Sequence, residues 1–335
     1  MQTVCVTGAA GFIGFHLSRR LLSLGWAVTG VDNLSDYYDV KLKRDRLQQL
    51  SSSVQFKFHH LDICDHTALE EIYSRERFDY TIHLAAQAGV RYSLENPRAY
   101  TQNNVSGFLN ILECCRLFGS KHLLYASSSS VYGFNTKLPF SVRDGVDHPV
   151  SIYAATKKAN ELMAHVYSHL YCLPTTGLRF FTVYGPWGRP DMAPFLFTKS
   201  ILEGAPIKVF NHGDQKRDFT FIDDIIDGVV PLLERIPTPG AQQEAALGPD
   251  RSWAPYRIFN IGNHRPVELL YFIELIERYT NRKAIRVPMP MQPGDAPITY
   301  ADVNELADAV GFSPRTSIED GLRKFVTWYR DYYGV

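Results

Sequence analysis

Apolar positions along the chain fall into two alternating rhythms. Short β-branched or apolar runs at 3–7, 27–31, 54–58, 80–84 and 122–126 predict strands. Between them the apolar period lengthens to that of a helix. Ile13, Leu17, Leu21 and Leu24 recur over 13–24, and a second such segment spans 105–118. A helix over 153–170 leads into one more strand at 175–181. Strands alternating with helices at this spacing predict an α/β fold with a parallel, doubly wound sheet. After Gly185-Pro186 the rhythm loosens, proline becomes frequent, and 237–255 reads as an exposed loop. Two later segments, 219–233 as a helix entry and 257–261 as a strand, are expected to return to the sheet. The expected organisation is a nucleotide-binding domain over 1–180 with those returning segments. A smaller mixed α/β substrate-binding domain would take up most of 181–335.

Composition narrows the class. The 335 residues carry 35 basic and 35 acidic side chains, a formal charge of zero, with 45% hydrophobic residues. This length provides ample core for one large domain or two coupled ones. A balanced charge argues against a nucleic-acid or membrane-surface protein, yet leaves room for an anionic small molecule met by a few arginines. No charged leader with an apolar core is readable, so no secretory signal is expected. Nowhere do 18 apolar residues run together, as a membrane-spanning helix needs. The five cysteines, Cys5, Cys64, Cys114, Cys115 and Cys172, show neither Cys-x-x-Cys nor zinc-ligand spacing. No metal site is expected, and a reducing, cytoplasmic setting is.

The turn Gly8-Ala9-Ala10-Gly11-Phe12-Ile13-Gly14 joins the first strand to the first helix. Glycine lets a backbone approach a pyrophosphate closely, and the helix start offers free N–H groups and a positive dipole end. A turn that merely packs helix on strand would look similar, but here the second strand ends on Asp32. A carboxylate there accepts from both ribose hydroxyls and repels a 2′-phosphate, and no arginine adjoins it. The reading is a Rossmann sheet that binds NAD in preference to NADP. Asp62-Ile63 would end the third strand beside the adenine. Leu84-Ala85-Ala86 would end the fourth, where small side chains leave room for the cofactor.

Tyr153-Ala154-Ala155-Thr156-Lys157 places a phenol and an ammonium on one helical face. A tyrosine acting as a base at neutral pH needs a depression of about three pH units, roughly 4 kcal/mol. A neighbouring lysine charge and a positively charged nicotinamide favour the phenolate. With 19 tyrosines and 12 lysines, about 0.7 such pairs arise by chance. A second pair, Tyr37 with Lys41, is set aside as a decoy on a polar loop. What singles out Tyr153 is the run Ser127-Ser128-Ser129-Ser130-Val131-Tyr132-Gly133 at the carboxyl end of the fifth strand. Such sheets bind ligands there, and Ser128 is placed to hydrogen-bond the same substrate hydroxyl.

With these three motifs in order, the chain resembles the extended short-chain dehydrogenase/reductase family over essentially its whole length. Its segments 85–93, 180–192 and 291–295 are most similar to those of the UDP-glucuronate 4-epimerases. The resemblance implies Ser128, Tyr153 and Lys157 as the catalytic set. NAD would be held by Gly8, Gly11, Phe12, Ile13, Gly14, Asp32, Asn33, Asp62 and Ile63. Leu84, Ala85, Ala86, Asn103 and Ser127, with Tyr153 and Lys157, complete that set. Dehydratases and decarboxylases of the family carry acidic residues just before Val-Tyr-Gly, where this chain has Ser129 and Ser130. A neutral pair cannot serve as acid or base at neutral pH. Relatives acting on neutral galactose-type sugars have asparagine at Thr182 and arginine at Gln292.

The implied reaction interconverts UDP-glucuronate and UDP-galacturonate through a transient 4-keto sugar, with Tyr153 as base and NAD regenerated in each cycle. Ser128, Ser129, Ser130 and Thr182 would surround the sugar carboxylate, with Arg189 as its charged or orienting partner. Arg189 otherwise reads as a structural tie of the Pro-rich turn, and Arg91 as a substrate contact or a solvated helix-start arginine. By resemblance, Arg217 would grip the pyrophosphate, its guanidinium fork suiting two phosphate oxygens. Asp295 would accept from the uridine ribose, and Val209 and Phe210 would meet uracil. A UDP-glucuronate decarboxylase, a 4-epimerase of a neutral UDP-hexose and an NAD-sensing protein are the competing readings. Helices 105–118 and 153–170 are expected to pair with their copies in a homodimer.

Overall fold

A computed structural model of the chain describes residues 1–240, 248–292 and 296–335. The strands are β1 (Thr3–Thr7), β2 (Ala27–Asp32), β3 (Phe56–His60), β4 (Tyr80–His83), β5 (His122–Ser128) and β6 (Thr175–Phe180). They continue with β7 (Thr182–Tyr184), β8 (Pro206–Phe210), β9 (Lys216–Phe221), β10 (Tyr256–Ile261), β11 (Pro266–Glu268) and β12 (Ile285–Met289). The helices of the first part are α1 (Phe12–Ser23), α2 (Val40–Leu50), α3 (His66–Glu76), the short α4 (Tyr92–Glu95) and α5 (Pro97–Tyr100), α6 (Gly107–Phe118) and α7 (Ile152–Tyr171). The later ones are α8 (Ala193–Glu203), α9 (Ile222–Leu232), α10 (Leu269–Thr280), α11 (Asn304–Val310) and α12 (Ile318–Tyr333).

Seven strands form one parallel sheet in the order β10-β6-β5-β4-β1-β2-β3. This is the doubly wound arrangement that the alternating rhythm predicts. Successive residues of each strand feed opposite cores. Val4, Val6, Val28, Ile82 and Leu124 pack on one face with α1 and α9, while Cys5, Val31, Leu123, Tyr125 and Ile258 pack on the other with α3, α6 and α7. Both faces are covered, so the strands read as apolar runs. Chain order reverses between β1 and β4, and the crevice beyond their carboxyl ends is where such sheets bind ligands. Beyond it lie a three-stranded sheet, β11-β9-β7, and a parallel pair, β12-β8.

Several boundaries differ from expectation for identifiable reasons. The third strand runs over 56–60 instead of 54–58, because Val54 is fully exposed in a polar turn and has no core to join. Asp62 and Ile63 therefore follow the strand in a turn. Residues 219–221 lie in the three-stranded sheet through β9, and α9 then packs on α1, while β10 pairs with β6 at the edge of the main sheet. The helix expected from 105 becomes α-helical only at Gly107. A π-helical turn, Thr101–Ser106, precedes it, and such turns accumulate at functional sites. Of the loop at 237–255, residues 241–247 lie outside the described residues, and its flanks carry only isolated bridges.

Candidate active site

The turn after β1 is built as a cradle. Gly8 sits at φ +72°, and a Cβ on it would fall 2.8 Å from the Ala85 nitrogen. On Gly14 a Cβ would fall 2.1 Å from the Gly8 carbonyl oxygen, so only glycine lets α1 start this close to the turn. No side chain caps the N-terminus of α1, which leaves its first N–H groups to the crevice. Asp32, at the end of β2, accepts from the backbone N–H of Ala10 at 3.1 Å and of Leu34 at 2.9 Å. The Asn33 amide donates to Asp62 at 2.9 Å. The residues present fit a dinucleotide: a backbone cradle for its pyrophosphate, and a carboxylate with two further polar groups for its ribose end.

The second element is the meeting of β5 and α7. Ser151 caps α7 by accepting from Ala154 N–H at 3.1 Å, which sets Tyr153 and Lys157 on its first turns. Ser128 ends β5, and its hydroxyl accepts from Ser130 N–H at 3.2 Å and meets the Tyr153 phenol. Lys157 is buried and donates to the Ala126 carbonyl at 2.9 Å. Burial pushes this ammonium down to about 8. Burial also raises the Tyr153 phenol above its ordinary value, while Ser128 and Arg189 pull the other way. The depression of Tyr153 expected from Lys157 is therefore not held by the chain alone. The lysine faces a backbone carbonyl, and desolvation dominates the tyrosine. Beneath them His83, bonded to Thr7 at 2.8 Å, is pushed down to about 3 by burial and then by Lys157, so it is neutral at working pH.

The far wall comes from β7 to β9 and their loops. Arg189 makes a two-point ion pair with Asp191, Nε to Oδ1 at 3.0 Å, and Tyr37 donates to the same carboxylate at 3.3 Å. Arg189 thus ties its own turn and faces the cleft at once. Arg91 lies over the Phe210 ring at 4.7 Å. Arg217 donates to the carbonyls of Lys216 and Pro297, each at 3.1 Å, and to the Gln215 side chain.

These groups, apart from the buried His83, open on one cleft of about 2000 Å³. Single ligand pockets span about 300–1,000 Å³, so it has room for two ligands together. It is lined by the glycine turn with Phe12 and Ile13, by Asp32, Asn33, Asp62 and Ile63, and by Leu84, Ala85, Ala86 and Asn103. Ser127, Ser128, Ser129, Ser130, Tyr153 and Lys157 form its floor, and Thr182, Arg189, Arg91, Phe210 and Arg217 its far end. Val209 is the exception. Alternation along β8 turns its side chain into the core and leaves Phe210 to the cleft. Asp295 lies outside the described residues. Among the described residues no group of His, Cys, Asp or Glu is placed to hold a metal ion.

Sequence reading passed over three residues here. Tyr37, expected to be a decoy on a polar loop, lines the cleft and bonds to Asp191, whose sequence signal is only its place in the 180–192 motif. Lys43 is buried beside Asp32, donates to the Ser35 carbonyl at 2.7 Å and stacks on Tyr38. Its signal was a charged residue on the inner face of α2, which periodicity reads as exposed.

Residues 4–262 match the family described as NAD dependent epimerase/dehydratase. A probable UDP-glucuronate 4-epimerase of Rhizobium meliloti (strain 1021) is 46% identical over 334 residues, 98% of this chain and 97% of the relative. UDP-glucuronate 4-epimerase 1 of Arabidopsis thaliana is 47% identical over 338 residues, 99% of this chain and 77% of the relative. Among solved structures, UDP-glucuronic acid 4-epimerase from Bacillus cereus, crystallised with UDP-glucuronic acid and NAD, aligns with a TM-score of 0.86 at 32% identity. The alignment covers 99% of this chain and 100% of that one.

Proposed function

The chain belongs to the NAD dependent epimerase/dehydratase family, and from that premise we propose that it is an NAD-dependent isomerase interconverting UDP-glucuronate and UDP-galacturonate. The observation that carries the reading is a single cleft with the glycine cradle at one end, a wall of neutral hydroxyls with Arg189 at the other, and Tyr153 between them. Its likeness to UDP-glucuronate 4-epimerases over nearly the full chain supports the substrate.

Gly8, Gly11 and Gly14 would hold the pyrophosphate of NAD and Asp32 its ribose. Bound there, NAD supplies a hydride acceptor and donor for sugar C4. Tyr153 takes the proton of the 4-hydroxyl and returns it to the same oxygen once the 4-keto sugar has turned to present the opposite face of C4 for return of the hydride. Ser128 orients that oxygen, and Lys157 adds positive charge behind it. Ser129, Ser130 and Thr182 offer hydroxyl donors to the C6 carboxylate, with Arg189 as its cation. No carboxylate stands at Ser129 or Ser130 to assist elimination or decarboxylation. Arg217 serves the diphosphate and Phe210 the uracil face.

We take residues 1–180, with 219–233 and 257–261, as the cofactor-binding part and most of 181–335 as the substrate-binding part. No helix among the described residues is long and apolar enough to cross a membrane. All five cysteines are free, which supports a reducing, cytoplasmic setting. A homodimer through α6 and α7 is supported by their exposed leucines.

The test is to incubate purified protein with UDP-glucuronate, without added cofactor, and follow the sugar by NMR. UDP-galacturonate should appear, and Tyr153→Phe should lose turnover while retaining bound NAD. Release of carbon dioxide with a UDP-pentose would replace the reading with a decarboxylase.

A further inference from the structure

Arg46, on α2, is fully buried and does not line the cleft, yet it bridges segments on both sides of it. One terminal nitrogen donates to the Ala10 carbonyl at 2.8 Å, inside the glycine turn, and to the Tyr38 hydroxyl at 2.9 Å. The other donates to the carbonyls of Trp187 at 2.5 Å and Gly188 at 3.3 Å, just before Arg189. Its Nε has no partner, so the two terminal nitrogens carry the whole linkage. All four acceptors are neutral oxygens. A buried cation so placed is costly unless its geometry is used.

The segment it grips needs gripping. Trp187 sits at φ +63°, a left-handed conformation unfavourable for a side chain of that size. Its ring is wedged against Phe15, Trp328 and Tyr332. The preceding carbonyl, Pro186, accepts from His16 Nε2 of α1 at 2.9 Å. Three consecutive carbonyls, Pro186, Trp187 and Gly188, are thus fixed by two side chains of the cofactor-binding helices. Arg189 follows at once, and its own partner Asp191 is bonded by Tyr37, from the loop that leads into α2.

We propose that Arg46 is a positioning residue that transmits the geometry of the glycine turn to the Trp187–Gly188 backbone and so fixes how far the Arg189 guanidinium reaches into the substrate end of the cleft. The inference rests on the reading of Arg189 as the partner of the uronate. Lysine at position 46 keeps the charge but has one nitrogen where the guanidinium spans two strands of backbone.

The test uses the NAD-loaded protein and the variants Arg46→Lys, Arg189→Ala and the two combined. KM and kcat are measured on UDP-glucuronate, and the Kd of UDP alone is measured by calorimetry. Arg46→Lys should raise KM for UDP-glucuronate about tenfold, the scale of one displaced charged contact, and leave UDP affinity and bound NAD unchanged. The double variant should be no worse than Arg189→Ala, because both act through one guanidinium. Additive losses, equal weakening of UDP and UDP-glucuronate, or no change would overturn the proposal. Should Arg46→Lys not yield soluble holoprotein, His16→Asn, which releases Pro186 of the same segment, goes through the same cycle, and additivity there overturns it equally. A parent protein inactive on UDP-glucuronate sinks the functional reading, whereas an active parent with an additive cycle sinks only this inference.

Discussion

Lys157 is kept in the floor of the cleft against its own solvation, and the pH dependence of stability should reveal it. Burial lowers its folded value from 10.5 to about 8. Below about pH 8 both folded and unfolded chains carry the proton, and the penalty of burying the charge stands in full. Between about 8 and 10.5 the unfolded chain binds more protons, so this group makes stability rise with pH; above that window the penalty is gone. The shift corresponds to about 3 kcal/mol, partly offset by the bond to Ala126 that a replacement would lose. Lys157→Met should therefore unfold at higher urea than the parent at pH 7, by about 1–3 kcal/mol in the cofactor-free protein, while losing most turnover. The gap should close towards pH 10. Equal stability at pH 7 and a flat difference across that range would show that the ammonium is not strained by its site.

At the scale of elements, α7, which carries Tyr153 and Lys157, is held in register by a buried ion pair. Glu161 lies one turn beyond Lys157 on α7 and pairs with Arg179 of β6 through two contacts, at 2.8 and 2.9 Å. Ser127 donates to the same carboxylate at 2.6 Å, and Arg179 continues to Tyr132 and thence to Asn260 of β10. One network thus joins β5, β6, β10, α7 and the serine loop. Burial pushes the Glu161 carboxyl up, but Arg179, Ser127 and Lys158 together outweigh it and the net shift is downward, so its contribution is present above the ordinary glutamate range and lost as pH falls below it. Arg179→Leu leaves the buried carboxylate with only Ser127 and the longer contact to Lys158 at 3.7 Å, and should cost about 3 kcal/mol in urea unfolding at pH 7, with the loss shrinking in acid. Adding Glu161→Leu should recover much of it, and a single variant as stable as the parent would remove the pair from the account. These elements were legible in sequence where their signal is local. The strand–helix rhythm, the glycine turn, Asp32 and the Ser128, Tyr153, Lys157 order all lie in short, periodic or contiguous stretches. What escaped depends on distant partners or on side-chain facing. Tyr37 meets Asp191 from 154 residues away. Lys43 and Arg46 are charged residues on a buried helix face, which a hydrophobic period reads as solvated. Val209 and Phe210 are told apart only by which face of β8 turns inward.

For the whole molecule, zero net charge leaves solubility to the distribution of polar surface, and one apolar region stands out from it. Leu162, Val166 and Leu170 recur every fourth residue along α7 and are 57%, 47% and 60% exposed. On α6, which packs beside α7, Leu109 and Leu117 are 42% and 47% exposed. Tyr153 and Lys157 face the cleft from the same α7, so this outward stripe is not spent on the site. Exposed apolar surface of this extent on two adjacent helices supports the proposed association face, which a two-fold pairing of α6 and α7 with their copies would close into a four-helix contact. A homodimer should accordingly be seen by sedimentation at micromolar concentration. Val166→Glu together with Leu170→Glu places two charges on that apolar face of each protomer and should shift the protein to monomer. Burying such charges without partners costs several kcal/mol, more than a contact of this kind can recover. Because neither residue faces the cleft, the monomer should still carry NAD, and its thermal transition should fall through the loss of α6 and α7 burial alone. A double variant that still sediments as a dimer, or a parent protein that is monomeric, would place the association face elsewhere.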